Sequence, residues 1–129
     1  MYCKQSDKII LIDPRGYENE GLRSPYYDLA KFSHSFLGKY DLIINNKCSY
    51  NFDYELNFSL SFEKKYRLNK DLFFNLCNDL KMDYSLVRLI ESSLFLSMIS
   101  LHKEDLTRCF NLCCRSYEIF DKYKKELKK

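Results

Sequence analysis

The sequence predicts a mainly α, α+β domain, and three observations carry that prediction. From residue 69 onward, three successive segments repeat their apolar residues at helical spacing. Between 40 and 62 the pattern changes to alternation with period two. Near the amino terminus, "MYCK" and "KIILI" flank the polar "QSD" and read as a strand pair. With 129 residues, 46% hydrophobic and 30% charged, the chain has material for a single domain, 1–129, with a real core.

The elements follow in order. "IILI" is apolar at four successive positions, the pattern of a strand buried on both faces. "DPRGYENEGLRSP" holds two glycines, two prolines and several charges, and predicts an exposed loop. A helix is expected at 25–37, capped by Ser24, with Pro25 at its first position and Gly38 ending it. Its apolar stripe runs through Tyr26, Leu29, Ala30, Phe32, Ser33 and Phe36.

Phe52, Tyr54, Leu56, Phe58, Leu60 and Phe62 then alternate with polar residues, and predict a second hairpin near 41–62 that turns around "NNKCS". "NKDLFFNLCNDLKM" predicts a helix with Asn69 as its cap. "DYSLVRLIESSLFLSMISL", beginning at Asp83, is apolar nearly all round and should be the central buried helix. The last helix carries Leu106, Phe110, Cys113, Tyr117 and Phe120 along one side. That makes about four helices in all, with no internal repeat and no linker.

Charge and cysteine content narrow the function classes. A net charge of +3, from 21 basic and 18 acidic residues, is too balanced to imply a nucleic-acid or membrane partner. The basic end "DKYKKELKK" reads as a solvated helix terminus with lysines placed well against the dipole. Six cysteines lack paired spacing, the opening is too polar for a signal peptide, and no run reads as transmembrane. Reduced thiols and a cytoplasmic location are expected. Cys109 and Cys113 share a helix face, but no His or further Cys stands at a zinc-finger spacing.

Asp13 sits at the carboxyl end of the apolar strand, ahead of Gly16. A carboxylate so placed can present its oxygens to Mg²⁺ and phosphate, with Arg15 beside it for a phosphate or a carboxylate. Asp-Pro-x-Gly is also ordinary turn chemistry, and on spacing alone the turn is the stronger reading.

The block "LIDPRGYENEGLRSPYYDLAKFSHSFLGKYDLI", residues 11–43, resembles the segment after the catalytic loop in aminoglycoside phosphotransferase and choline kinase-like enzymes of the protein-kinase-like fold. It is most similar to a branch associated with bacterial capsule and surface-polysaccharide genes, where "IDPRG" and a following "YDLAKF-HS-G-YD" recur. "LSMISLHKEDLTRCFNL", residues 96–112, resembles that branch's "MLPLH" junction, with Ile99 and Ser100 in place of Leu-Pro. The resemblance implies a partial kinase-like C-terminal lobe. Asp13 would be the counterpart of the Asp-Phe-Gly aspartate that holds Mg²⁺ on the ATP phosphates. Arg15 and Gly16 would complete the signature on the cofactor side. Asp28 would brace the catalytic loop.

Such enzymes also need a His-x-Asp loop with an Asn five residues past the Asp. Here the two histidines begin "HSF" and "HKE". Glycines at 16, 21 and 38 form no phosphate loop, and no strand Lys paired with a helix Glu stands out. Phosphoryl transfer depends on positioning and charge stabilisation, and one carboxylate holds Mg²⁺ weakly. The expectation is therefore the C-terminal part of a Mg-ATP-dependent phosphotransferase, from a split, truncated or frameshifted gene and inactive alone. Its partners would be a small sugar or alcohol acceptor, a sugar phosphate included, and the missing N-terminal portion as a separate chain. No nucleic acid and no membrane span are expected. A pseudokinase-like binding module and an unrelated structural helical domain are the alternatives.

Other polar residues read as structural. His34, beside Phe32 and Phe36, is expected to be a hydrogen-bonded core or boundary residue, and His102 to end the buried helix against its dipole. Glu18 and Glu20 read as solvated, Tyr26 and Tyr27 as packing residues, and "EKKYRLNK" at 63–70 as a solvated hairpin end.

Overall fold

The computed structural model describes residues 24–52, 58–62 and 70–126, with two-residue strand segments at 2–3, 8–9, 17–18 and 21–22. At the amino terminus β1 (Tyr2–Cys3) pairs antiparallel with β2 (Lys8–Ile9), as the polar "QSD" between them predicts. The stretch read as a loop holds a further antiparallel pair, β3 (Tyr17–Glu18) with β4 (Gly21–Leu22).

Helix α1 (Pro25–Phe36) begins as its sequence dictates, with Ser24 Oγ accepting from the amide of Tyr26 at 3.4 Å and Pro25 at the first position. Its end differs in mechanism. The left-handed step falls on Lys39 (φ 63°), not on Gly38. Gly38 is needed for space instead: a Cβ there would meet the His34 carbonyl, Glu91 Oε1 at 2.6 Å and Phe95 Cζ at 2.7 Å.

The alternating stretch resolves into two elements. "YDLII" forms a short helix, α2 (Tyr40–Ile44), which buries Leu42 and Ile43. Only then does the hairpin begin, β5 (Cys48–Phe52) against β6 (Phe58–Phe62), with Cys48 opposite Phe62 and Phe52 opposite Phe58. "NNKCS" is therefore the passage from helix to strand, and the hairpin's connection falls at 53–57. A short apolar run such as "YDLII" carries no period that separates helix from strand.

Three long helices complete the fold: α3 (Lys70–Asp79), α4 (Tyr84–Met98) and α5 (Leu106–Tyr123), with a 3₁₀ turn at Ile99–Leu101 between the last two. Asp83 caps α4 by accepting from Ser85 and Leu86, as expected, whereas Asn69 lies outside the described residues. Helix α4 packs between α1 and α5 and is central, but only one side is buried: Val87, Arg88, Glu91, Ser92, Leu94 and Phe95. By length and composition alone, Tyr84–Leu101 passes for a membrane span, with mean hydropathy 1.3 over 18 residues, as the core helix of a bundle also does, and the expectation of no membrane span stands neither met nor overturned. In the fold this helix packs between α1 and α5, and 28% of the window is buried.

Two apolar clusters hold the elements. One joins Ala30, Leu37, Phe73, Cys77, Val87 and Leu94; the other joins Ile43, Phe95, Leu112, Ile119 and Tyr123. The second overturns the face expected for α5. Leu112, Ser116, Ile119 and Tyr123 point inward, while Leu106 is 81% exposed and Phe120 48% exposed. Both stripes have heptad spacing, and the inward one includes the small Cys114 and Ser116, which let α4 come close.

Candidate functional site

Asp13, Arg15 and Gly16, the residues the kinase-like resemblance singles out, lie outside the described residues. Asp28 is on the first turn of α1, partly exposed, where its charge suits the helix dipole. Its carboxylate has no hydrogen bond or ion pair among the described residues. Among those same residues, no group of three or more His, Cys, Asp or Glu side chains could hold a metal ion. Asp13, the expected Mg²⁺ ligand, is outside that description, and the described residues show no coordination geometry.

The remaining candidates are structural. His34 is buried against the rings of Tyr40 and Phe95, at centroid distances of 4.5 and 4.0 Å, and burial lowers its pKa to about 4. Among the described residues its Nε2 has no partner, so the expected hydrogen bond is not made at that nitrogen there. His102 Nε2 lies 2.8 Å from Tyr40 Oη and fixes the turn after α4. Tyr26 Oη accepts the amide of Asp83 at 3.0 Å, a packing role as read. Cys109 Sγ donates to the His102 carbonyl at 3.1 Å, tying α5 to the same turn.

Behind α1 lies a buried polar cluster that the sequence reading missed. Arg88, 4% exposed, donates from one terminal nitrogen to Ser33 Oγ at 2.8 Å and Glu91 Oε2 at 2.6 Å. Ser33 Oγ also donates to Glu91 Oε2. Glu91 is fully buried, and desolvation raises its pKa despite the opposing pull of Arg88 and Ser33. The cluster is under-satisfied: Arg88 Nε and Glu91 Oε1 find no partner among the described residues. The signal was present, since Arg88 and Glu91 are the charged residues of an otherwise apolar helix, three apart.

Arg88 also lines a cleft of about 290 Å³ between the end of α1, strand β6, the starts of α3 and α4, and the second half of α5. Leu37, Leu60, Tyr84, Ile119 and Tyr123 supply its apolar walls; Lys70, Arg88, Arg115 and Lys122 supply cations, and Glu118 is the lone carboxylate of this lining. Both oxygens of Glu118 are committed, Oε1 to the Leu60 amide at 2.7 Å and Oε2 to Arg115 at 2.9 Å. Arg115 further donates to the carbonyls of Gly38 and Leu37, each at 3.0 Å. Lys39 Nζ and Arg115 Cζ both lie over the Phe62 ring, at 4.4 and 5.6 Å. Burial, then the Arg115 and Lys70 charges, lower the pKa of Lys39.

The fold so defined is a mainly helical α+β domain with a small cationic cleft. No protein-family model, curated protein or solved structure matches the chain.

Proposed function

We propose that this chain is the C-terminal lobe of a Mg²⁺- and ATP-dependent phosphotransferase acting on a sugar or sugar phosphate in capsule or surface-polysaccharide assembly, located in the cytoplasm and inactive alone. The observation that carries the reading is the 11–43 block, in which "IDPRG" is followed at family spacing by "YYDLAKF". Asp28, whose carboxylate has no partner among the described residues, is available at the start of α1 to brace a loop contributed from elsewhere. Free thiols at Cys48, Cys77, Cys109, Cys113 and Cys114 suit a reducing compartment.

The coding DNA upstream of Met1 tests the reading. It should encode, in frame or across a frameshift, His-x-Asp followed by Asn five residues past the Asp. Unrelated sequence there would sink the split-enzyme reading. A non-catalytic binding module is the second reading, and the cationic cleft favours it.

A further inference from the structure

We propose that the cleft bounded by Lys70, Arg88, Arg115 and Lys122 binds the phosphate group of a small phosphomonoester. The inference rests on the cleft's own geometry and not on the phosphotransferase reading. Four cations line the cleft with one carboxylate, which is already spent on Arg115 and the β6 backbone; Arg88 is paired with Glu91 behind the lining, so Lys70 and Lys122 carry the surplus. Arg88 gives two hydrogen bonds, to Ser33 and Glu91, and its Nε in a buried setting has no partner among the described residues, so it is short of acceptors there. Lys70 and Lys122 meet no carboxylate among the described residues. Lys39 lies beside Arg115 over the Phe62 ring, its ammonium disfavoured first by burial and then by the Arg115 and Lys70 charges.

A positive surplus of this kind is relieved by a dianion better than by a carboxylate, and a phosphomonoester carries about −1.5 to −2 charges at neutral pH. Size and shape favour a small molecule over nucleic acid. A space of about 290 Å³, walled by Leu37 and Tyr123, admits one phosphate and a compact body. Polynucleotides call instead for an open basic stripe.

The full chain is titrated at fixed ionic strength with inorganic phosphate, glucose 6-phosphate, chloride and a single-stranded oligonucleotide, followed by calorimetry. The expected result is saturable one-to-one binding of glucose 6-phosphate and of inorganic phosphate, and none of chloride. A Lys70→Gln/Lys122→Gln variant, altering two exposed side chains, should weaken both at least tenfold with an unchanged melting midpoint. Phosphate binding no stronger than chloride binding would overturn the proposal, as would equal affinity in the variant. Binding of inorganic phosphate with glucose 6-phosphate excluded would also overturn it. Tighter binding of the oligonucleotide per phosphate would replace it with a nucleic-acid surface.

Discussion

Arg115 on α5 donates its Nε–H to the carbonyl of Gly38, 3.0 Å away, and so closes the end of α1 from a helix that enters the chain some seventy residues later. A second bond from the same guanidinium to Leu37 and the ion pair with Glu118 lock the junction of α1, α5 and β6. Arg115→Ala should therefore cost about 2–3 kcal/mol, since two carbonyls and the Glu118 carboxylate lose their donor at once. Chemical denaturation measures it; a loss below about 0.5 kcal/mol would mean the junction is held by packing alone.

Gly38→Ala tests the same junction from the other side. The added methyl would drive first into the His34 backbone carbonyl and then into Glu91 Oε1 and Phe95, and overpacking of this kind costs about 1–3 kcal/mol. Because φ at Gly38 is not positive, the cost is steric, and Phe95→Leu in the same chain should recover part of it. No recovery would place the strain in the backbone.

The buried Arg88–Glu91 pair should behave asymmetrically. Glu91→Ala leaves a guanidinium at 4% exposure with Ser33 as its remaining partner, a change worth about 3–5 kcal/mol. Replacing both, as Arg88→Met with Glu91→Leu, should restore most of that loss. A double variant as unstable as the single one would contradict the claim that the uncompensated charge is the cause.

His34 gives the fold a defined response to acid. Its pKa is lowered by burial from the ordinary 6.5 to about 4, so the folded state takes up the proton less readily than the unfolded chain. Its contribution is complete above about pH 6.5 and is lost as pH falls toward about 4, by about 3 kcal/mol at most. His34→Phe, which keeps a ring against Tyr40 and Phe95, should flatten the stability-against-pH curve in that window. Curves that differ only by a constant offset would show that His34 is not the titrating group.

The orientation of α5 can be tested with two substitutions. Leu112→Ala, at a fully buried position against Phe95 and Ile119, should cost about 2–5 kcal/mol. Phe120→Ser, on the outward stripe, should change stability by about 0.5 kcal/mol or less. The reverse ranking would restore the face read from the sequence.

These contrasts show what the sequence made legible. Ser24 and Asp83 were readable as caps because an N-cap satisfies local amides with its own side chain. "YDLII" was not separable from the following strand, since five residues carry no decisive period. On α5 two heptad stripes compete, and the bulkier one faces outward because small Cys114 and Ser116 on the other admit α4. The cationic cleft was illegible for a different reason: Lys39, Lys70, Arg88, Arg115 and Lys122 come from four separate segments, and only the fold brings them together. Of the residues singled out by resemblance, Asp28 is described, and Asp13, Arg15 and Gly16 are not.

Phosphoryl transfer from Mg²⁺-ATP, assayed on the chain joined to any His-x-Asp-containing polypeptide that the DNA upstream of Met1 proves to encode, tests the proposed function most directly. The joined protein should transfer the γ-phosphoryl group to a sugar or sugar-phosphate acceptor. Asp13→Ala should abolish transfer with the fold retained, and Asp28→Ala should mainly lower stability. Transfer that survives Asp13→Ala unchanged, or a joined protein that never turns over ATP, would contradict the account.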